Sequence, residues 1–109
     1  MQPNEIPPGS LYLLILKALA RGGELQGDEI ANWIERVSDE VLQVEEGSLY
    51  PALQRMLIKG WGRSQTGVTA GNRRVRYYRL TSLGRKQLQV EVSQFERVMQ
   101  AITRAIQTA

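Results

Sequence analysis

Histidine and cysteine are both absent from this 109-residue chain. Their absence excludes disulfides, thiolate nucleophiles, Ser-His-Asp and Cys-His arrangements, a histidine general base, and the ordinary zinc and copper ligand sets. Long apolar runs are missing too. The most apolar stretch, Leu11 to Ala20, is broken by Lys17 and followed by Arg21, Gly22 and Gly23, well short of the roughly 18 apolar residues that cross a bilayer. Met1 to Pro8 lacks the basic-then-apolar order of a secretory signal, so the expected compartment is the cytoplasm. None of the ten glycines has P-loop or dinucleotide-binding spacing. Carboxylate pairs remain for catalysis, namely Asp28 with Glu29, Asp39 with Glu40 and Glu45 with Glu46, and adjacent acids of this kind are ordinarily solvated surface. No enzyme and no cofactor are expected.

Carboxylates are themselves missing from one long window. Gly47 to Val90 holds nine of the fourteen basic residues and none of the eleven acidic ones. The net charge of +3 hides this sorting. Charge segregated along the chain builds a positive face, and the obvious polyanion for it is a nucleic-acid backbone. With 42% hydrophobic and 23% charged residues the chain has the composition of a soluble globular protein, and its length suits one small domain that oligomerisation would help to stabilise.

Pro3, Pro7 and Pro8 mark residues 1–9 as a flexible lead-in. Ser10 is a candidate N-cap for a helix over Leu11 to Ala20 that is apolar nearly all round and therefore needs cover on more than one side. Gly22 and Gly23 end it. A second helix over Gln26 to Ser38 carries Ile30, Trp33, Ile34 and Val37 as one buried stripe, with Trp33 and Trp61 expected in core or interface. After an irregular connection, Val41 to Val44, a third helix runs from Glu46 to Lys59 with Leu49, Ala52, Leu53, Met56 and, less centrally, Leu57 facing inward. Opposite that stripe lie Ser48, Tyr50, Pro51, Gln54, Arg55 and Ile58. Hydroxyl, amide and guanidinium groups there suit phosphates and base edges, although Tyr50 could equally pack on the body. Pro51 requires that the helix start near Ser48 or forgo one backbone bond.

Trp61 to Gln65 and Arg73 to Leu80 are extended segments around a turn-rich loop, Thr66 to Asn72, and together form a hairpin whose return strand bears Arg73, Arg74 and Arg76. Without local carboxylates to pair with, these arginines are better explained by phosphate contact than by solvation alone. Helices followed by such a hairpin give the order of a winged helix-turn-helix domain, residues 10–80. Thr81 caps a last helix from Ser82 to about Ile106, about 37 Å long. Leu88, Val92, Phe95, Met99, Ile102 and Ile106 recur on it at heptad steps, the signature of a seam with a partner chain. The fold class expected is mainly α with a small β-hairpin, residues 81–109 forming a dimerisation helix and Leu14 of the first helix joining the interface of a two-fold homodimer.

At Gly47-Ser48-Leu49-Tyr50-Pro51-Ala52-Leu53 the chain resembles the recognition helix of the PadR family of bacterial transcriptional regulators. The resemblance continues through Leu13 to Leu19, Gly27 with Glu29-Ile30-Ala31, Gly60, Arg73-Arg74, Tyr77 to Thr81 and Gly84, and the single C-terminal helix is similar to that of the short PadR subgroup. It implies a homodimeric repressor bound to double-stranded operator DNA through the third helix and the basic wing, with release by a small-molecule inducer in some members. Phe95 falls where short members stack planar aromatic compounds; as a seam residue it needs no such ligand. The chain departs from the family pattern at Gln26-Gly27-Asp28, where His-Gly-Tyr is usual, at Leu57 and Ile58, usually charged, and at Thr66, often Trp. Asp28 is a candidate cap for the second helix and puts an anion near the expected DNA face. From another functional class, the same basic face would suit an acidic partner protein; structured RNA is a third reading, for which the sequence offers no stacked-aromatic sheet.

Overall fold

A computed structural model describes residues 4–6 and 9–109. The order of elements is β1 (Asn4–Glu5), α1 (Ser10–Gly22), β2 (Glu24–Gln26), α2 (Gly27–Val37), β3 (Leu42–Gln43), α3 (Glu46–Ile58), β4 (Gly62–Val68), β5 (Arg74–Leu80) and α4 (Ser82–Gln107). Three helices enclose a core of Ile15, Leu16 and Leu19 from α1, Ile30 and Ile34 from α2, and Leu49, Leu53 and Met56 from α3, all essentially inaccessible. Tyr78 and Leu80 close it from the sheet and Leu88 from α4. Helical spacing of these residues brings each set onto one face, and burying the larger ones stabilises the fold by about 1.5–3 kcal/mol apiece.

The sheet has the order β2-β5-β4, wholly antiparallel, with Arg63 opposite Arg79 and Val68 opposite Arg74 in the β4–β5 hairpin. Side chains alternate along β5: Tyr78 and Leu80 point into the core, so Arg74 and Arg76 continue the same face where the hairpin leaves the body. The turn is tighter than the expected loop, because Thr66 to Val68 pair with Arg74 to Arg76. It closes at Thr69, whose N–H reaches the Arg73 carbonyl at 2.9 Å, and at Asn72, which takes a left-handed φ of 63°.

Several local expectations are corrected. Gly9, not Ser10, is the N-cap of α1; it sits at φ 87°, a conformation that glycine reaches without Cβ strain, and the helix then begins at Ser10. Asp28 does not cap α2, because the Glu29 carboxylate accepts the Gln26 N–H at 2.8 Å instead. Val37 lies outside the stripe and is 55% exposed, where α2 gives way to a turn with Asp39 and Glu40 in left-handed conformation. Val41 to Val44 is less irregular than expected: Leu42–Gln43 pairs in parallel with Asn4–Glu5 of the segment read as lead-in. The Val44 N–H is anchored on the Glu35 carboxylate at 3.0 Å. Strand β2 has no counterpart in the sequence reading.

Thr81 caps α4 as expected, its hydroxyl accepting the Gly84 N–H at 3.0 Å while donating to the Gly60 carbonyl at 2.7 Å. Gly84 lets the first turn of α4 lie on the preceding chain, since a Cβ there would stand 1.9 Å from the Trp61 carbonyl oxygen. From Ser93 to Ala109 every residue is exposed. No helix among the described residues is long and apolar enough to cross a membrane, and no cluster of potential metal ligands occurs among them.

Candidate nucleic-acid interface

Helix α3 runs unbroken from Glu46 through Pro51, so the second of the two options for that proline holds: lacking an N–H, it leaves the Gly47 carbonyl without its helical donor. The buried stripe is Leu49, Ala52, Leu53 and Met56 as the periodicity required, with Leu57 partly covered. Ser48, Tyr50, Pro51, Gln54 and Arg55 are all exposed, and Ile58 is 83% exposed. They do not form one uniform face. Gln54, Pro51 and Ile58 point straight out, whereas Tyr50 leans to one flank and Arg55 and Ser48 to the other.

On the first flank the Tyr50 ring packs on Gly27, and its hydroxyl donates to the Asp28 carboxylate at 3.3 Å. Partial burial raises the Tyr50 phenol above its ordinary range, and the neighbouring negative charge of Asp28 raises it further, so the hydroxyl stays protonated with its hydrogen directed to that carboxylate. The same side chains line a cavity of about 200 Å³ together with Arg73, Arg74 and Arg76 of the hairpin. Thus α3, the start of α2 and the arginines of the wing converge, and Asp28 stands as the one carboxylate among the residues lining that cavity. Of the two roles open to Tyr50, packing on the body is the one seen, its ring on Gly27 and its hydroxyl on Asp28.

On the second flank the Arg55 Nε–H donates to the Tyr12 hydroxyl of α1, with the guanidinium carbon 5.8 Å from the Tyr12 ring centroid. Tyr12 is in turn set edge-on against Trp61 at 5.6 Å and 86°, and the Lys59 ammonium lies 5.1 Å from the Trp61 centroid. Ser48, Pro51, Arg55 and Tyr12 line a larger cavity of about 460 Å³ with Ile6, Leu11 and Glu45. No spacing rule connects position 12 to position 55, so Tyr12 could be read in the sequence only as part of an apolar helix.

Of the residues assigned to a partner interface, the chain covers some itself and leaves others exposed. Leu88 is buried within the chain and Leu14 and Val92 are partly buried, while Phe95, Met99, Ile102 and Ile106 are 44%, 42%, 46% and 77% exposed. Val98, which the heptad count passed over, adds to the same apolar surface at 57% exposure.

Residues 15–90 match the model of the transcriptional regulator PadR-like family. No curated protein matches the chain. Among solved structures, a transcriptional regulator from Clostridium thermocellum is 29% identical, with a TM-score of 0.80 over 88% of this chain and 92% of that one. A PadR-like transcriptional regulator from Bacillus cereus is 24% identical, with a TM-score of 0.75 over 93% of this chain and 95% of that one. Bacillus subtilis PadR, solved in complex with operator DNA, shares the fold at 23% identity and a TM-score of 0.67, over 75% of this chain and 46% of that one. With a helical core carrying a basic β-hairpin, a winged helix fold common to these structures and a family model spanning most of its length, the chain belongs to the PadR-like family of transcriptional regulators.

Proposed function

We propose that the chain is a sequence-specific DNA-binding repressor that acts as a homodimer. Helix α3 enters the major groove and the hairpin follows the flanking backbone or minor groove. The observation that carries this reading is the convergence of Tyr50 of α3 with Arg73, Arg74 and Arg76 of the wing around one surface cavity, in a stretch of chain free of carboxylates. Ser48, Tyr50 and the wing arginines supply phosphate contacts, and Gln54 and Arg55 have the chemistry to read adenine and guanine edges. Phosphate neutralisation by arginine releases condensed counterions, so affinity depends steeply on salt.

The apolar face of Phe95, Val98, Met99, Ile102 and Ile106 supports a two-fold partner, because an amphipathic helix of this length has no reason to project its seam into water. Two recognition helices are then presented about one turn of DNA apart, roughly 34 Å. Phe95 is the aromatic surface on which a planar inducer would stack.

The test is the salt dependence of binding to duplex fragments selected from the host genome. Wild type should give a log–log slope of about −0.9 per phosphate neutralised, and Arg73→Ala or Arg74→Ala should each flatten it by about 0.9. Salt-independent binding, or no enrichment of any fragment over random competitor, would reject the reading and favour an acidic protein as the partner of the basic face.

A further inference from the structure

The structure assigns Tyr12 of α1 as the positioning residue that sets how Arg55 of α3 meets a base pair. The inference rests on the DNA-binding reading above and adds a residue outside α3 and the wing. A guanidinium has two ways to form a paired contact: side-on through Nε and one terminal nitrogen, or end-on through both terminal nitrogens. Here Nε is occupied, because its hydrogen goes to the Tyr12 hydroxyl. A paired contact is then left to the end-on pair, Nη1 and Nη2, whose two parallel donors match the O6 and N7 acceptors of guanine and no other base's major-groove edge.

Tyr12 can do this because it is itself held. Its ring stands edge-on against Trp61 at 5.6 Å. The Trp61 backbone is fixed by its N–H to the Met56 carbonyl at 3.1 Å and by its carbonyl to the Thr81 N–H at 3.1 Å. The guanidinium carbon lies 5.8 Å from the Tyr12 ring centroid, which adds a cation–π attraction to the hydrogen bond. An arginine on an exposed helix face otherwise samples many rotamers, and ordering them at the moment of binding opposes the contact. Tethering Nε in the free protein removes part of that loss. It also selects one of the two fork geometries, so the tether acts on discrimination between bases more than on attraction to phosphate. Tyr12 carries no charge and neutralises no phosphate, which separates its effect from that of the wing arginines.

Enrichment from a random-sequence duplex pool, with the purified full chain as wild type, Tyr12→Phe, Arg55→Ala and the double variant, tests the assignment. Wild type should enrich a motif with a guanine preference that Arg55→Ala abolishes at one base pair per half-site. Tyr12→Phe should lower the preference at that same pair by about three- to tenfold, leaving the other positions and the salt slope at wild-type values. Phenylalanine keeps the ring on Trp61, and a thermal unfolding midpoint equal to wild type checks that it does. The double variant should lose no more than Arg55→Ala alone, whereas damage to the fold would add to the arginine loss whatever its size. An unchanged motif in Tyr12→Phe, an even loss across all positions, additive losses in the double variant, or a motif indifferent to Arg55→Ala would each overturn the role of Tyr12 while leaving DNA binding intact. Failure of wild type to enrich any motif would remove the DNA-binding reading itself.

Discussion

Asp28 and Tyr50 show how one side chain can serve packing and charge at once. The phenol is raised first by burial and then by the carboxylate it bonds to, so its contribution to stability is complete below the ordinary tyrosine range and is lost as pH climbs through the raised value. Asp28→Asn removes the smaller cause and keeps the larger. Tyrosinate absorbance, assigned to Tyr50 by subtracting a Tyr50→Phe variant, should therefore appear at lower pH in Asp28→Asn than in wild type but still above the ordinary range; a curve identical to wild type would show that the carboxylate contributes nothing. The same substitution removes an anion from the cavity shared with Arg73, Arg74 and Arg76. Affinity for duplex DNA at low salt should then rise about two- to fivefold, and the gain should fade as salt screens the charge. Weaker binding by Asp28→Asn would mean that Asp28 orders Tyr50 for contact and does not repel the backbone. Neither the capping role considered for Asp28 nor its true partner could be settled from the sequence, because the choice between Asp28 and Glu29 depends on which carboxylate the backbone turn at Gln26 faces.

Helices were legible in this chain wherever an apolar period of three to four residues ran for ten residues or more: α1 to α4 lie within two residues of their expected bounds, the largest difference being the extension of α1 to Gly22. Strands were legible only as the hairpin. Strand β2 has three residues and β1 and β3 two each, too short for alternation to register, and they exist because β5 and the neighbouring chain offer backbone partners. The junction of β5 and α4 shows a tighter constraint than any period. Gly84→Ala would place a methyl group against the Trp61 carbonyl, where neither side can yield without moving the helix off the hairpin. It should destabilise the protein by about 3 kcal/mol or more in chemical denaturation. A loss below about 1 kcal/mol would mean that α4 can shift its first turn freely, and the fixed relation of wing to last helix would not hold.

For 109 residues the radius of gyration of 15.4 Å exceeds the roughly 13 Å of a compact chain of this length, and the long dimension of 60 Å reflects α4 leaving the body. Every residue of its outer half is exposed, yet it carries apolar residues at heptad spacing. As a homodimer seam it should be broken by one buried charge. Met99→Asp or Ile102→Asp should shift the protein to a monomer at micromolar concentration in analytical ultracentrifugation. Operator affinity should then fall by about a hundredfold or more, since two linked half-site contacts become two separate ones. Phe95→Ala should leave a weaker dimer. A monomeric wild type, or dimeric charge variants, would remove the seam from the interface.

The order of the four helices and the hairpin, the inward stripe of α3, the apolar stripe of α4 and the acid-free basic stretch were all written in residue spacing and charge, because periodicity and electrostatics act along a chain before it folds. Tertiary structure alone decided which flank of α3 each polar side chain joins, that Tyr12 holds Arg55, and that Asp28 stands among the wing arginines. Those pairings join residues 22 to more than 40 positions apart through directional hydrogen bonds and close ring packing. Only the folded backbone brings such partners within reach.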